Sequence, residues 1–176
     1  MQIKKLAIFC GSSSPKSEKI LQETTKFLQE LFANGDYDVV YGGAKIGIMG
    51  LVADLALEES RLVYGVMPTF LIDREVDHPG LTDFEVCETM HERKEKMYHL
   101  SDAFLILPGG FGTLDELFEI LTWRQLQLHH KPIYIFNPNG FYNHLIEHIK
   151  KMSEEGLIGK TDHTLISPIT EAKELS

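Results

Sequence analysis

Cysteine is scarce in this chain. The two present, Cys10 and Cys87, stand far apart and outside any C-x-x-C pair, which removes a disulfide framework and a cysteine zinc site. No apolar run approaches the ~20 residues needed to span a bilayer, and the strand-like beginning lacks a signal peptide's apolar core. No membrane partner is therefore expected, and the expected location is the cytoplasm. Basic charge is short as well: 17 Lys and Arg against 26 Asp and Glu, a net charge of −9. A nucleic-acid polymer, which selects a basic face, is not an expected partner. His144 and His148 are four residues apart, but Leu145 rather than Glu follows the first, so the zincin spacing fails. No metal and no cofactor is expected.

What remains is an ordinary globular composition, 43% hydrophobic and 24% charged over 176 residues, sized for a single domain spanning 1–176. The most informative stretch runs from Ala103 to Glu116. Ala-Phe-Leu-Ile-Leu, without a polar break, reads as a strand buried on both faces of a parallel sheet. Pro108 ends it, and Gly109, Gly110 and Gly112 permit a tight turn with exposed N–H groups. A helix follows, carrying Leu114, Leu117, Phe118 and Leu121 on one face. A strand, a glycine loop and a helix N-terminus together cradle phosphate, so Gly109, Gly110, Phe111, Gly112 and Thr113 are candidate binding residues. Glu116 has two readings. Thr113-Leu-Asp-Glu116 fits a capping box, the commoner outcome on spacing alone. Alternatively, its carboxylate lies beside the phosphate, where a nucleotide's sugar would sit.

Strands and helices alternate along the rest of the chain. Lys5–Cys10 reads as a strand, and Gly11-Ser-Ser-Ser-Pro15 as a loop whose serines, Ser12 among them, either donate to a ligand or cap the helix at Ser17–Asn34. Asp38–Tyr41 is a strand opening into Gly42-Gly-Ala-Lys-Ile-Gly-Ile-Met-Gly50. This second glycine-rich turn is neither the dinucleotide fingerprint nor a P-loop; a helix from about Leu51 to Ser60 is expected after it. Arg61–Met67 is a strand, 69–82 a surface loop, Phe84–Cys87 a short strand, and Met90–Leu100 a charged helix. In that helix Arg93 and Lys94 either belong to a solvated face or bring charge to an anion site. Lys131–Phe136 is a strand, Phe141–Glu155 a helix and Thr164–Ser167 a final strand. His129 and His130, at a helix end, are expected to interact with its dipole. The pattern is that of an α/β protein with a Rossmann-like, doubly wound parallel sheet.

Pro108-Gly-Gly-Phe-Gly-Thr-Leu-Asp-Glu116 matches the motif P-G-G-x-G-T-x-x-E, and Met90-His-Glu-Arg-Lys94 matches M-H-x-R-K. Together they resemble the LOG ("lonely guy") family of cytokinin-activating phosphoribohydrolases, long mislabelled lysine decarboxylases, over roughly residues 5–155. Ala44 replaces a frequent third glycine, and His129-His130-Lys131 a more usual His-Asp-Lys. The resemblance implies a commonly dimeric, Rossmann-like enzyme that cleaves nucleoside 5′-monophosphates to free base and ribose 5-phosphate. It further implies catalytic roles for Arg93 and Glu116, and substrate contacts from Glu75, Lys94, the Gly110–Thr113 loop and Thr122. Gly42, Gly43 and Ser12 fall in the family's first two ligand-edge loops.

The chemistry is consistent with those residues. Breaking an N-glycosidic bond builds positive charge on the ribose, which a buried Glu116 carboxylate would stabilise while orienting or deprotonating water. Arg93 would hold phosphate or ribose hydroxyls, or assist the leaving base. Met49 and Phe111 either contact the base or merely pack. Two other readings compete: a non-catalytic nucleotide or cofactor carrier, with Arg93 and Glu116 as a structural pair, and a pyridoxal phosphate decarboxylase. The second needs a Schiff-base lysine, and no lysine sits in a suggestive pattern.

Overall fold

The computed structural model describes residues 3–72 and 78–175. Short apolar runs become strands: β1 (Lys5–Phe9), β2 (Asp38–Tyr41), β3 (Val63–Pro68), β4 (Asp83–Cys87), β5 (Ala103–Ile106), β6 (Ile133–Phe136) and β7 (Ser167–Ile169). Helices intervene: α1 (Glu18–Asn34), α2 (Gly47–Glu58), the single-turn α3 (Thr69–Ile72), α4 (Met90–Leu100), α5 (Phe111–Gln125) and α6 (Asn143–Glu154). All strand pairs are parallel, in the order β4-β3-β2-β1-β5-β6-β7. The order reverses between β1 and β5, and at such a switch point the strand-end loops part and leave a crevice.

Alternation along the two central strands builds two cores. Leu6, Ile8, Leu105 and Leu107 face the side covered by α1 and α2, where Phe27, Leu28, Leu31, Phe32 and Val52 pack. Ala7, Phe9, Phe104 and Ile106 face the other side, against Met97 of α4 and Leu117 and Ile120 of α5. The long apolar residues of β1 and β5 are thus buried whichever way they point, the property that made these strands visible in the sequence. Among the described residues no helix is long and apolar enough to cross a membrane.

Several boundaries move. α2 begins at Gly47, not near Leu51, because the amides of Ile48 and Met49 both donate to the Gly11 carbonyl, at 3.1 and 3.3 Å. A neighbouring loop starts that helix. The region 69–82 is not all loop: its first residues form α3, whereas Arg74, Glu75 and Asp77 lie outside the described residues. The last strand is Ser167–Ile169 rather than Thr164–Ser167. It is an edge strand with two exposed residues and so carries little hydrophobic signal. Ser17 caps α1, its hydroxyl accepting from the Ile20 amide at 3.4 Å, so Ser12, Ser13 and Ser14 do not serve as that cap.

Candidate active site

Three loops meet at the carboxyl edge of the sheet. The Gly11 amide donates to the Pro108 carbonyl at 3.1 Å, joining the β1 and β5 loops, and the Gly11 carbonyl holds the start of α2. The contact is close enough to need glycine. A Cβ on Gly109 would lie 2.0 Å from Thr113 Oγ1 and 3.0 Å from the Gly11 nitrogen. Gly47, at φ +59°, would press a Cβ to 2.4 Å from the Ser12 backbone. The first amides of α2 are therefore spent within the protein.

Those of α5 are not. Its N-cap is Gly110, which has no capping side chain, and among the described residues the amides of Phe111, Gly112 and Thr113 find no partner. A Cβ on Gly110 or Gly112 would meet nothing within 4 Å. Bare donors at the positive end of a fifteen-residue helix face open space, the condition for binding an anion. The capping box does not form, because Thr113 already lies inside the helix. Glu116 turns instead toward α4.

There it meets Arg93. Glu116 Oε1 and Arg93 Nη2 are 3.9 Å apart, with both side chains about 95% buried (5% exposed each). The separation is too long for a hydrogen bond and short enough for strong charge interaction. Arg93 Nη1 lies 3.9 Å from Met90 Sδ, and Arg93 Nε is buried with no partner among the described residues. A buried guanidinium with spare donors is prepared for a ligand oxygen. Burial raises the Glu116 carboxyl to about 7; Arg93 and Lys94 work against that rise, and Asp115 and Glu119 add to it. Burial, followed by the Glu116 charge, pushes the neighbouring Cys10 thiol far up, so it is inert at neutral pH.

These groups line a cleft of about 600 Å³ that also holds Ser12, Met49, Phe70, Met90 and Phe141. A larger groove of about 830 Å³ lies between α1 and the segment 170–175, but none of its charged side chains is buried. The buried polar residues decide between the two: Arg93, Thr113 and Glu116 all belong to the smaller cleft.

The sequence-derived site residues separate into those the cleft gathers and those it does not. Ser12, Gly109 to Thr113, Arg93 and Glu116 all line it. Gly42 and Gly43 stand behind it: a Cβ on Gly42 would lie 2.1 Å from Arg93 Nη2, and one on Gly43 2.7 Å from the Phe84 ring. Gly42 is a seat for the arginine, not a wall of the cleft. Lys94 points away, to Asp115 at 3.1 Å and Glu119 at 2.6 Å. Thr122 lies on the outer part of α5, its hydroxyl donating to the Phe118 carbonyl at 2.7 Å, in a groove between α5 and α6. Glu75 is outside the described residues. Phe111 is 95% exposed, so packing does not explain it, whereas Met49 is buried among core residues while touching the cleft.

Phe70, Met90 and Phe141 were missed as cleft residues; each follows a strand end or turn, and only the fold brings them together. His129 also corrects an expectation. It is buried, accepts the Lys131 amide at Nδ1 and so donates from Nε2 to the Ile120 carbonyl at 2.9 Å. Burial lowers its pKa, so it works as a neutral hydrogen-bond bridge and not as a cation on a helix dipole.

The architecture and the cleft define an α/β protein of Rossmann-like class with a cleft at the switch point of its sheet. Residues 49–176 match the family model described as "Possible lysine decarboxylase". The chain is 40% identical over 174 residues to cytokinin riboside 5′-monophosphate phosphoribohydrolase LOG1 of Arabidopsis thaliana, covering 99% of this chain and 81% of that protein. It is also 40% identical, over 99% of its length and 82% of the relative's, to probable cytokinin riboside 5′-monophosphate phosphoribohydrolase LOGL3 of Oryza sativa subsp. japonica. Among solved structures, the molybdenum cofactor carrier protein of Chlamydomonas reinhardtii superposes with a TM-score of 0.70. It covers 97% of this chain and 91% of that one, at 15% identity, and so shares the fold alone. The chain belongs to the LOG phosphoribohydrolase family.

Proposed function

We propose that this protein hydrolyses the N-glycosidic bond of nucleoside 5′-monophosphates, cytokinin riboside monophosphates among them, releasing free base and ribose 5-phosphate. The observation that carries the reading is the buried Arg93–Glu116 pair beside the bare amides of α5. The 5′-phosphate sits on the amides of residues 111–113, where the helix end favours negative charge. Glu116 then lies about a sugar's width inward. As the bond breaks, its carboxylate faces the cationic ribose, and a water attacks the anomeric carbon while giving Glu116 its proton. The departing base nitrogen takes a proton from solvent. A guanidinium is a poor acid, so Arg93 holds phosphate or ribose oxygens through its spare donors. The exposed Phe111 and Phe70 lie at the mouth, where a flat base would stack.

The active form is a cytoplasmic homodimer. Phe118, Leu126 and Leu128 are exposed apolar residues on α5 and just beyond it, on the same stretch as Thr122. A second copy docked there buries them, and Thr122 reaches a nucleotide only through such a neighbour.

Incubation with AMP and with isopentenyladenosine monophosphate, followed by chromatography for free base, tests the activity. Base release by the wild-type protein that is lost in Glu116→Gln and Arg93→Ala supports the hydrolase. Tight nucleotide binding with no release across a panel of bases would make it a carrier.

A further inference from the structure

Between β6 and α6 the chain turns within Asn137-Pro-Asn-Gly-Phe-Tyr-Asn143, a stretch that no step of the reaction uses. Two of its side chains nevertheless bear on the cleft. Phe141 lines it, and Tyr142 is buried beneath the glycine loop. The Tyr142 hydroxyl donates to the Leu107 carbonyl at 2.7 Å and accepts from the Gly109 amide. It thus grips both neighbours of Pro108, whose own carbonyl holds Gly11 of the β1 loop. Burial raises the pKa of this hydroxyl far above the ordinary tyrosine range, so it stays protonated and keeps donating.

The turn itself is held by Asn137. Asn139 and Gly140 take positive φ, +49° and +72°, a region that asparagine and glycine enter most readily. Across this bend the Asn137 carboxamide oxygen accepts from the Tyr142 amide at 2.7 Å, and its nitrogen donates to the Asn143 side-chain oxygen at 2.7 Å. A backbone N–H can only donate, which fixes the end of the carboxamide that faces Tyr142. The Asn137 backbone amide reaches the other way, to the Ile169 carbonyl of β7 at 3.0 Å. One residue therefore ties the sheet edge, the bend and the start of α6 together.

We propose that Asn137 is a positioning residue for the glycine loop: it acts through Tyr142, seating that hydroxyl under Leu107 and Gly109, and it sets the Phe141 ring against the cleft. Aspartate at 137 keeps the acceptor for Tyr142 and loses the donor to Asn143; alanine loses both. The order of the loop is a property of the free protein, whereas its effect on a bound phosphate rests on the phosphoribohydrolase reading.

Amide hydrogen exchange, followed by NMR in the free protein, compares Gly109 with Leu105 of β5. The samples are the wild type, Asn137→Ala, Asn137→Asp, Tyr142→Phe and the double variant of Asn137→Ala with Tyr142→Phe. In Asn137→Ala, exchange at Gly109 is expected to quicken at least about tenfold more than at Leu105, whereas a general loss of stability quickens both alike. Tyr142→Phe, which removes the acceptor outright, gives the same excess, and the double variant adds nothing to it. Asn137→Asp stays near wild type. Should Asn137→Ala not fold, Asn143→Ala, a cut at an exposed residue, must show a smaller excess of the same sign. The Kd for ribose 5-phosphate rises about fivefold in Asn137→Ala and in Tyr142→Phe, the factor of one ordinary hydrogen bond, and no further in the double. Equal factors at Gly109 and Leu105 overturn the proposal, as does a double variant whose excess is the product of the single ones. If the wild type does not bind ribose 5-phosphate, it is the phosphoribohydrolase reading that loses support, and the exchange at Gly109 still decides the role of Asn137.

Discussion

Arg93 Nη2 and Glu116 Oε1 face each other across 3.9 Å at the floor of the cleft, both side chains removed from water. Burial is costly for a carboxylate; the Arg93 charge offsets part of that cost, yet the Glu116 carboxyl still rises to about 7, and a ligand oxygen can approach both groups from the cleft. The chemistry of the site, and most of what can be tested about it, follows from this spacing.

Glu116→Gln keeps the shape of the side chain and removes its charge. The rate of base release is expected to fall by about a hundredfold or more, with nucleotide affinity, read by calorimetry, changing little. A variant with near wild-type turnover would remove Glu116 from the chemistry.

The pH dependence follows from the same carboxyl. Burial raises it to about 7, and in the proposed mechanism it is the ionised form that meets a cationic ribose. The expected kcat/KM therefore rises with pH through about 7 and levels above it, falling about tenfold per unit on the acid side. A profile that is flat from pH 5 to 8, or that falls as pH rises through 7, would show that the ionised form is not the one required.

Two alanine variants separate seat from scaffold. Gly42→Ala would push a methyl to 2.1 Å from the tip of Arg93, a side chain that can move. Activity is expected to drop about tenfold or more, with a small change in melting temperature. Gly109→Ala would strike Thr113 at 2.0 Å and the Gly11 backbone at 3.0 Å, where nothing can yield cheaply. That variant is expected to lose stability as well as activity. Thermal denaturation beside kcat/KM checks both.

Phe111→Ala isolates the mouth of the site. At 95% exposure the ring contributes little to the fold, and a surface truncation usually changes stability by less than about 0.5 kcal/mol. KM is expected to rise several-fold with kcat nearly constant. Equal KM values in wild type and variant would place the base elsewhere.

Tyr142→Phe tests the support beneath the glycine loop. The buried hydroxyl donates to the Leu107 carbonyl at 2.7 Å, one residue before Pro108. Its loss should cost about 1 kcal/mol in denaturant unfolding and weaken binding of ribose 5-phosphate. An unchanged affinity would show that the loop holds its form without this bond.

The central strand, the glycine loop and the helix after it were readable in order because each carries a local signature: an apolar run, glycines, a 3.6-residue period. The role of Glu116 was not. Its spacing from Thr113 suits a capping box, and only the start of α5 at Phe111, two residues before Thr113, turns the carboxyl inward. Arg93 and Lys94 show the same limit. Side by side in sequence they look like one basic patch, yet one pairs with Glu116 and the other with Asp115 and Glu119. The start of α2 was hidden because the acceptor for its first amides is Gly11, more than thirty residues upstream.

The sequence by itself determined a parallel sheet, a glycine-rich loop opening a helix, and the two motifs that hold Arg93 and Glu116, since periodicity and turn chemistry are local properties of a chain. Which ions face each other, which amides are left bare and which glycines merely make room were decided by the tertiary structure. Those are contacts between residues far apart in the chain, and burial, which sets both their charge and their reactivity, exists only once the sheet and helices have packed.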